Sequence, residues 1–378
     1  MYLFVPYSTA GHVHPMLPVI AELVRRGAVV RVLIGERFAP AVRATGAVPV
    51  LLDSVPDVFV PDGFSGAGRF LLGRARRPYR NVLSGRLLAR ELRRRPDLAV
   101  LDPMLGWADR VVRRARVRSA LFSTTFADGP SVRAVTGAKG WRVAHLLPAV
   151  RRNMHPGRLV LSHALPELQP AAETLTAAVR LVAPLIRADR TDLACTDPLV
   201  PAGSRLLYVS TGTVFGRAPR FFRALGEAFE NRPWFVVLAT GPNGPGGRQT
   251  MPANFWVGRE VPQLRMLRRC DVFLTHAGMN SAIEGLAAGV PMALAPRSAE
   301  QRFIARQLVG LGVAAYAEID RHDPAALYRR LTALADDPGV RAAADDWRRR
   351  LAGADGAGLA ADLLRAELSE GIPTGRGA

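Results

Sequence analysis

One strand–turn–helix segment decides the fold of this 378-residue chain: Phe273-Leu274-Thr275-His276-Ala277-Gly278-Met279-Asn280-Ser281-Ala282-Ile283-Glu284-Gly285. Its apolar strand reaches His276, a glycine allows a close backbone turn, and a helix begins near Asn280. Free amides at a helix start, together with the helix dipole, form an anion site. Asn280, Ser281 and His276 can add side-chain donors. Glu284 lies one helical turn further on and is suited to accept hydrogen bonds from two vicinal hydroxyls. The alternative is that Asn280 and Ser281 only cap the helix.

Outward from this segment, apolar strands alternate with amphipathic helices. In the second half strands are predicted at Leu206–Ser210, Trp234–Ala239, Val272–Thr275 and Met292–Ala295, and in the first half at Leu3–Pro6, Val29–Ile34, Val48–Leu52, Leu98–Leu101 and Ser119–Ser123. This alternation predicts an α/β fold with parallel sheets covered on both faces. The periodicity lapses between Arg187 and Ser204, which is typical of a linker. We therefore predict two doubly wound domains, 1–195 and 196–370, with an interdomain cleft and a loose tail at 371–378.

Two further strand ends carry polar residues that suit chemistry in that cleft, because ligands of doubly wound sheets bind at the carboxyl ends of strands. His12 follows the first strand and has a pKa suited to a general base, while Asp102 follows a later strand and could orient its ring. Thr213, in the loop after Leu206–Ser210, is a candidate phosphate contact. His14 could be functional or structural.

Composition narrows the class of protein. The net charge is +19, but Lys139 is the only lysine, and the arginines are scattered without a nucleic-acid-binding motif, so we expect no nucleic-acid partner. The arginine-rich run 74–95 could meet an acidic or extended acceptor, although its pattern favours a solvated helix face. Two cysteines without a spacing motif, and no Asp-x-Asp, indicate neither a disulfide framework nor a metal site. No leader or membrane-spanning run is visible, which favours a cytoplasmic protein without stable membrane insertion.

These residues resemble the inverting nucleotide-sugar glycosyltransferases with two facing Rossmann-like domains, the GT-B architecture. The likeness is greatest to bacterial macrolide glycosyltransferases, whose relatives include plant UDP-glycosyltransferases. It covers nearly the whole chain and is most specific at Gly11–Pro15 and Val261–Gln301. It is poor at 57–95 and 127–189, where the family binds its acceptor. It implies that residues 1–195 bind the acceptor and 196–370 the nucleotide sugar, and we expect the last helix to pack back on the N-terminal domain.

The resemblance implies a role for each matching residue. His12 would be the general base and Asp102 its partner, and Glu284 would hold the donor ribose. Thr213, His276, Gly278, Asn280 and Ser281 would bind the diphosphate, Val261 and Gln263 the base, and Glu300 and Gln301 the sugar. No cofactor or metal is implied, because a UDP-sugar or TDP-sugar is the co-substrate.

Two positions depart from the family. Glu260 stands where relatives usually have a tryptophan stacked on uracil, and His14 where asparagine is common. The predicted function is hexose transfer, with a UDP-sugar favoured by Glu284, to a hydroxyl of a small hydrophobic natural product such as a macrolide or polyketide. The alternatives are a TDP-deoxysugar transferase of antibiotic biosynthesis and a non-catalytic nucleotide-binding partner protein. Neither the acceptor nor the oligomeric state can be read from the sequence.

Overall fold

Two parallel β-sheets organise the protein. The computed structural model describes residues 1–52, 83–127, 158–186, 198–210, 212, 219–241, 251–319 and 323–369. The first sheet has the order β3-β2-β1-β4-β5-β6-β7, and the second has the order β10-β9-β8-β11-β12-β13. All described strand pairs are parallel. Two doubly wound sheets were expected, and this expectation is confirmed.

The first sheet is formed by β1 (Tyr2–Val5), β2 (Val30–Ile34), β3 (Val48–Leu51), β4 (Leu98–Leu101), β5 (Ser119–Ser123), β6 (Val160–Ser162) and β7 (Val179–Leu181). Its helices include α1 (Ala10–Val13), α2 (Met16–Arg25), α3 (Ala39–Arg43) and α4 (Gly106–Arg114), with a further helical stretch at 83–92. The central strands β1 and β4 are buried on both faces, as the apolar runs predict.

The second sheet is formed by β8 (Arg205–Ser210), β9 (Trp234–Ala239), β10 (Phe255–Gly258), β11 (Val272–Thr275), β12 (Met292–Leu294) and β13 (Ala314–Tyr316). Its helices include α5 (Pro219–Phe229), α6 (Gln263–Leu267), α7 (Met279–Ala288), α8 (Ala299–Gly310), α9 (Pro324–Asp336) and α10 (Pro338–Ala352). The chain order reverses between β1 and β4 in one sheet and between β8 and β11 in the other. Crevices open at these reversals, so the loops after these four strands are placed to bind a ligand.

The last helix, α11 (Gly356–Ser369), packs on the first sheet rather than on the second. It lies against α2, and Leu364 is fully buried in the core that α2 shares with β1. Gly356 is required at the start of this helix, because a Cβ there would lie 2.1 Å from the carbonyl oxygen of Val182. The predicted boundary at 195/196 falls outside the described residues and stays a prediction.

Apolar packing also joins the two halves. Phe126 and Leu168, from the first half, lie in the same buried cluster as Phe273 and Ile304 of the second. The ring of Phe126 meets that of Phe303 edge-on, with the centroids 5.5 Å apart. Within the described residues, no helix combines the length and apolar composition that a membrane crossing needs.

Candidate active site

His12 and Asp102 meet at the reversal of the first sheet. β1 and β4 pair in register, Val5 beside Leu101, so the chain beyond each strand enters the same crevice. His12 lies on α1, a one-turn helix where a loop was expected, and its Nδ1 is 2.6 Å from Asp102 Oδ2. The other oxygen of Asp102 accepts from the Met104 amide at 2.9 Å. A buried carboxylate fixed in this way selects the ring form protonated at Nδ1, which leaves Nε2 free to accept a proton.

Thr124 is a neighbour of His12 that the sequence analysis missed. Its hydroxyl lies 3.1 Å from His12 Nδ1, and the residue is buried immediately after β5. Because β5 pairs with β4, a polar residue at its carboxyl end enters the same crevice as Asp102. The pair Thr124-Thr125 at a strand end was therefore a readable signal. The hydroxyl oxygen of Thr124 can act as a second acceptor for the Nδ1 proton of His12.

Charges around His12 shift its titration. Burial alone would lower the pKa of His12, but the charge and hydrogen bond of Asp102, with a further contribution from Glu300, outweigh burial and raise the pKa above the ordinary histidine value. Burial raises the pKa of Glu300, and the positive charge of His12 partly opposes that shift. Glu300 belongs to the second half of the chain, so the two halves are coupled electrostatically across the crevice.

On the opposite wall, His276 fits a slot between two glycines. Gly212 follows β8 and Gly278 follows β11, which is the neighbouring strand. A Cβ on Gly212 would lie 2.9 Å from the His276 ring, and one on Gly278 would lie 2.5 Å from its Nε2. Gly212 also has a left-handed φ of +79°, which other residues rarely adopt. Any larger residue at either position would have to displace the imidazole.

The α7 N-terminus lies in the same wall. Gly278 is its N-cap and supplies no side chain to cap the first-turn amides. The preceding residue, Ala277, has a left-handed φ of +60°, which makes the strand-to-helix turn sharp. Amides at the start of this ten-residue helix and the side chain of Ser281 are therefore suited to bind an anion, and the anion site stays a prediction.

Asn280 links the two walls. Its Nδ2 donates to the carbonyl of Gly11, 2.8 Å away in the α1 turn beside His12. The predicted role of Asn280 was to contact a diphosphate, and the structure adds an interdomain bond that uses one of its two amide hydrogens. Asn280 therefore also sets the separation of His12 from the anion site.

Glu284 lies at the end of a chain of side-chain hydrogen bonds. Tyr208 donates its hydroxyl to Gln263 Oε1 at 3.0 Å, and Gln263 Nε2 donates to Glu284. Glu284 is 9% exposed and faces the cavity, where its carboxylate can accept from a ligand. Tyr208 was not foreseen, because it belongs to the buried face of β8.

Gln301 has a structural task in addition to the predicted sugar contact. Ser298 and Gln301 form a reciprocal capping box at the start of α8. The side-chain oxygen of Gln301 accepts from the Arg297 amide at 2.8 Å. Only its amide hydrogens are left for a ligand.

Most of these groups face one cavity of about 430 Å³ between the two sheets. The predicted residues that line it are His12, Val261, Gln263, His276, Gly278, Asn280, Ser281, Glu284, Glu300 and Gln301. Asp102 lies behind His12, and Thr213 is outside the described residues. His14 also lines the cavity, with its ring edge-on to Phe38. The described part of the chain contains no group of three or more His, Cys, Asp or Glu suited to hold a metal ion.

Two cavity residues form an ion pair that the sequence analysis did not anticipate. Arg37, in the turn Glu36–Phe38 after β2, donates to Glu260, which follows β10 in the second sheet. Glu260 is the residue for which the resemblance implies a tryptophan in relatives. The pair therefore links the two sheets across the cavity that both residues line.

Comparisons with known proteins agree with this architecture. Residues 236–356 match the family described as Erythromycin biosynthesis protein CIII-like, C-terminal domain. The chain is 33% identical over 392 residues to the oleandomycin glycosyltransferase of Streptomyces antibioticus, covering 95% of this chain and 88% of that protein. The chain belongs to this glycosyltransferase family. This chain is also 26% identical to the NDP-glycosyltransferase YjiC of Bacillus licheniformis, and the match covers 95% of each chain.

The glycosyltransferase is also similar to the crystal structure of CalG4, the calicheamicin glycosyltransferase. The TM-score is 0.70 at 26% identity, and the match covers 98% of this chain and 99% of that one. The predicted fold class, two Rossmann-like domains in the GT-B arrangement, and the predicted enzyme class are confirmed. The individual site residues keep the status of predictions.

Proposed function

We propose that this glycosyltransferase moves a hexose from a UDP-sugar to a hydroxyl of a small hydrophobic natural product, with inversion at the anomeric carbon. The observation that carries the proposal is the His12–Asp102 pair, 2.6 Å apart, which faces the α7 anion site across one cavity. The acceptor class is supported by relatives whose names include oleandomycin and calicheamicin. On this proposal residues 1–195 hold the acceptor and 196–370 the donor.

The proposed reaction is a single displacement. The acceptor oxygen attacks the anomeric carbon while His12 Nε2 takes its proton, and the carbon–oxygen bond to the diphosphate breaks with its electron pair on the departing phosphate. The α7 amides, Ser281 and His276 stabilise the negative charge that develops there. Asp102 stabilises the imidazolium, so the proton stays on His12 until the product leaves. Thr213 belongs to the same proposed diphosphate site.

At the sugar end, Glu300 and the amide of Gln301 bind the hexose hydroxyls, and Glu284 binds the ribose hydroxyls. A carboxylate that accepts from two vicinal hydroxyls favours a ribonucleotide, which supports UDP over TDP. We include in the proposal that the reaction needs no bound metal and takes place in the cytoplasm, where nucleotide sugars are made.

A TDP-sugar donor is the second candidate. It is favoured by one observation: Glu260 occupies the place of the tryptophan that stacks on uracil in relatives. Thermal unfolding with UDP, TDP or GDP distinguishes the candidates, because only the nucleotide that binds raises the melting temperature at low concentration.

The direct test is a mass-spectrometric screen of the purified protein with UDP- and TDP-sugars against macrolide and aromatic alcohols. The proposal expects a product whose mass equals acceptor plus hexose minus water, formed with a UDP-sugar. Failure of every nucleotide to raise the melting temperature, with no product and no donor hydrolysis, would refute it. A nucleotide that binds without any product or donor hydrolysis would also refute it and would favour the non-catalytic nucleotide-binding partner protein.

A further inference from the structure

The ion pair between Arg37 and Glu260 occupies a part of the cavity that the proposed mechanism does not use. Both side chains are 57% exposed, and they come from positions 223 residues apart. Neither belongs to the apolar contact that joins the two halves around Phe126. The pair is therefore a link between the halves that is separate from this apolar contact.

The base of a bound donor would lie next to this pair, if the proposed function holds. In a nucleoside diphosphate the ribose separates the phosphates from the base. The proposed anion site is at the start of α7, and Glu284, with its partner Gln263, lies one helical turn beyond. Glu260 and buried Val261 directly precede Pro262 and Gln263 in the chain and line the same cavity as Glu284 and Arg37. A base that extends past Glu284 would therefore approach the Arg37–Glu260 pair.

The chemistry of the pair suits a planar ring. A guanidinium is flat and weakly hydrated, and bases in other complexes stack on guanidinium planes. Glu260 holds one edge of the Arg37 guanidinium, while the ring of Phe38 lies 5.4 Å from its central carbon. Two partners thus restrict a side chain that would otherwise be free to rotate, which reduces the entropy lost when a base binds.

We propose that Arg37, positioned by Glu260, contacts the donor nucleobase and so replaces the missing aromatic stack with a residue of the N-terminal half. This inference rests on the proposed function, because it assumes a nucleoside diphosphate in the cavity. On this inference the donor base is bound by residues from both halves of the chain. Glu260 acts through Arg37 and is a positioning residue.

The test is calorimetric titration of UDP, TDP and inorganic pyrophosphate into the wild type and variants at 0.15 M salt, where long-range charge effects are screened. Arg37→Ala should weaken the tighter of the two nucleotides by roughly five- to tenfold, a magnitude typical of a partly desolvated cation–π contact. Pyrophosphate affinity should change by less than about twofold. Arg37→Lys should lose most of the affinity that Arg37 contributes, because an ammonium lacks the planar face of a guanidinium.

A double-mutant cycle tests the positioning role. Glu260→Ala should weaken the nucleotide about two- to threefold, and should have no further effect in the Arg37→Ala background, because the two residues act as one unit. The matched control is Arg350→Ala. Arg350 pairs with Glu167 across the halves and lies 4.5 Å from the Trp347 ring, but it does not line the cavity. This variant should bind as the wild type does.

Unchanged nucleotide binding in Arg37→Ala would overturn the inference. Equal weakening of nucleotide and pyrophosphate would also overturn it, since Arg37 would then act on the phosphates by charge. A wild-type protein that binds neither UDP nor TDP would refute the proposed function itself, a result visible before any variant is made.

Discussion

Replacing Asp102 by asparagine should slow transfer severely while leaving the fold and donor binding in place. The asparagine oxygen can still accept from the Met104 amide, which Asp102 Oδ1 now does at 2.9 Å. Its amide, however, would face His12 Nδ1, 2.6 Å from the present carboxylate oxygen, and would donate to it. The ring would then carry its proton on Nε2, the atom that must accept the proton of the acceptor hydroxyl.

The magnitude follows from the lost charge and the changed ring form. With charge centres roughly 4 Å apart and an effective dielectric constant of about 20, the imidazolium–carboxylate attraction is about 4 kcal/mol. If half of it is expressed in the transition state, about 2 kcal/mol, the rate falls roughly 30-fold. The wrong ring form slows the reaction further, and the equivalent change in Ser-His-Asp triads lowers kcat by about 10⁴-fold. We expect kcat to fall by roughly 10²- to 10⁴-fold.

The assay is kcat at saturating donor and acceptor across a pH series, with donor affinity measured separately. His12 must be unprotonated to act, so activity should rise with pH through a pKa above the ordinary histidine value. In Asp102→Asn this rise in activity should occur at lower pH. Burial lowers the pKa of His12, and the charge of Asp102, which is the main effect that raises it, is then absent. Glu300→Gln should move the rise in activity in the same direction by less.

Asp109→Asn is the matched control. Asp109 is as buried as Asp102, at 1% exposure, but it pairs with Arg158 and does not line the cavity. Any loss of stability from replacing a buried aspartate should appear there, without a change in the pH profile. An Asp102→Asn enzyme with kcat within threefold of the wild type, or with an unmoved pH limb, would refute the reasoning.

Three other changes test separate parts of the structure. Gly278→Ala should weaken UDP or TDP binding by about tenfold or more, because its Cβ would lie 2.5 Å from His276, whereas Gly310→Ala, which meets nothing within 4 Å, should not. His163 is buried, and burial lowers its pKa to about 3. Between pH 6.5 and 3 the unfolded chain therefore binds a proton that the folded chain does not. As the pH is lowered through this range, the free energy of unfolding should fall by up to about 1.4 kcal/mol per pH unit. Urea unfolding at pH 7.5 and at pH 5 should show that His163→Leu loses less stability than the wild type between these two values. Gln301→Glu keeps the side-chain oxygen that accepts in the capping box but removes the amide hydrogens of Gln301. It should raise the donor KM several-fold with little change in melting temperature. An unchanged KM would show that Gln301 does not contact the sugar.

The buried parallel strands were predictable from sequence because their apolar runs are nearly continuous. β4, β5, β9 and β11 were predicted at their observed bounds. β6, β7, β10 and β13 were missed, since each spans three or four residues and several are only partly buried. Strands this short have little periodicity of their own, whether they lie at a sheet edge, as β7, β10 and β13 do, or inside the sheet, as β6 does, and they form because a neighbour offers a pairing partner.

Local signals gave the general outline of the site. His12, Asp102 and His276 each follow a buried strand, and parallel pairing within the first sheet brings the ends of β1 and β4 together, which places His12 beside Asp102. The contact between Arg37 and Glu260 could not be read in this way, because it depends on how two distant halves face each other. The capping task of Gln301 was readable, because Ser298 three residues earlier completes a known helix-start pattern.

The most direct test of the account is His12→Ala, assayed for transfer and for binding of the donor nucleotide in the same preparation. Turnover should fall by orders of magnitude, while the nucleotide should bind within about twofold of the wild type, because the proposed anion site at α7 lies on the opposite wall. Turnover close to that of the wild type would show that His12 is not the base and would contradict the central claim.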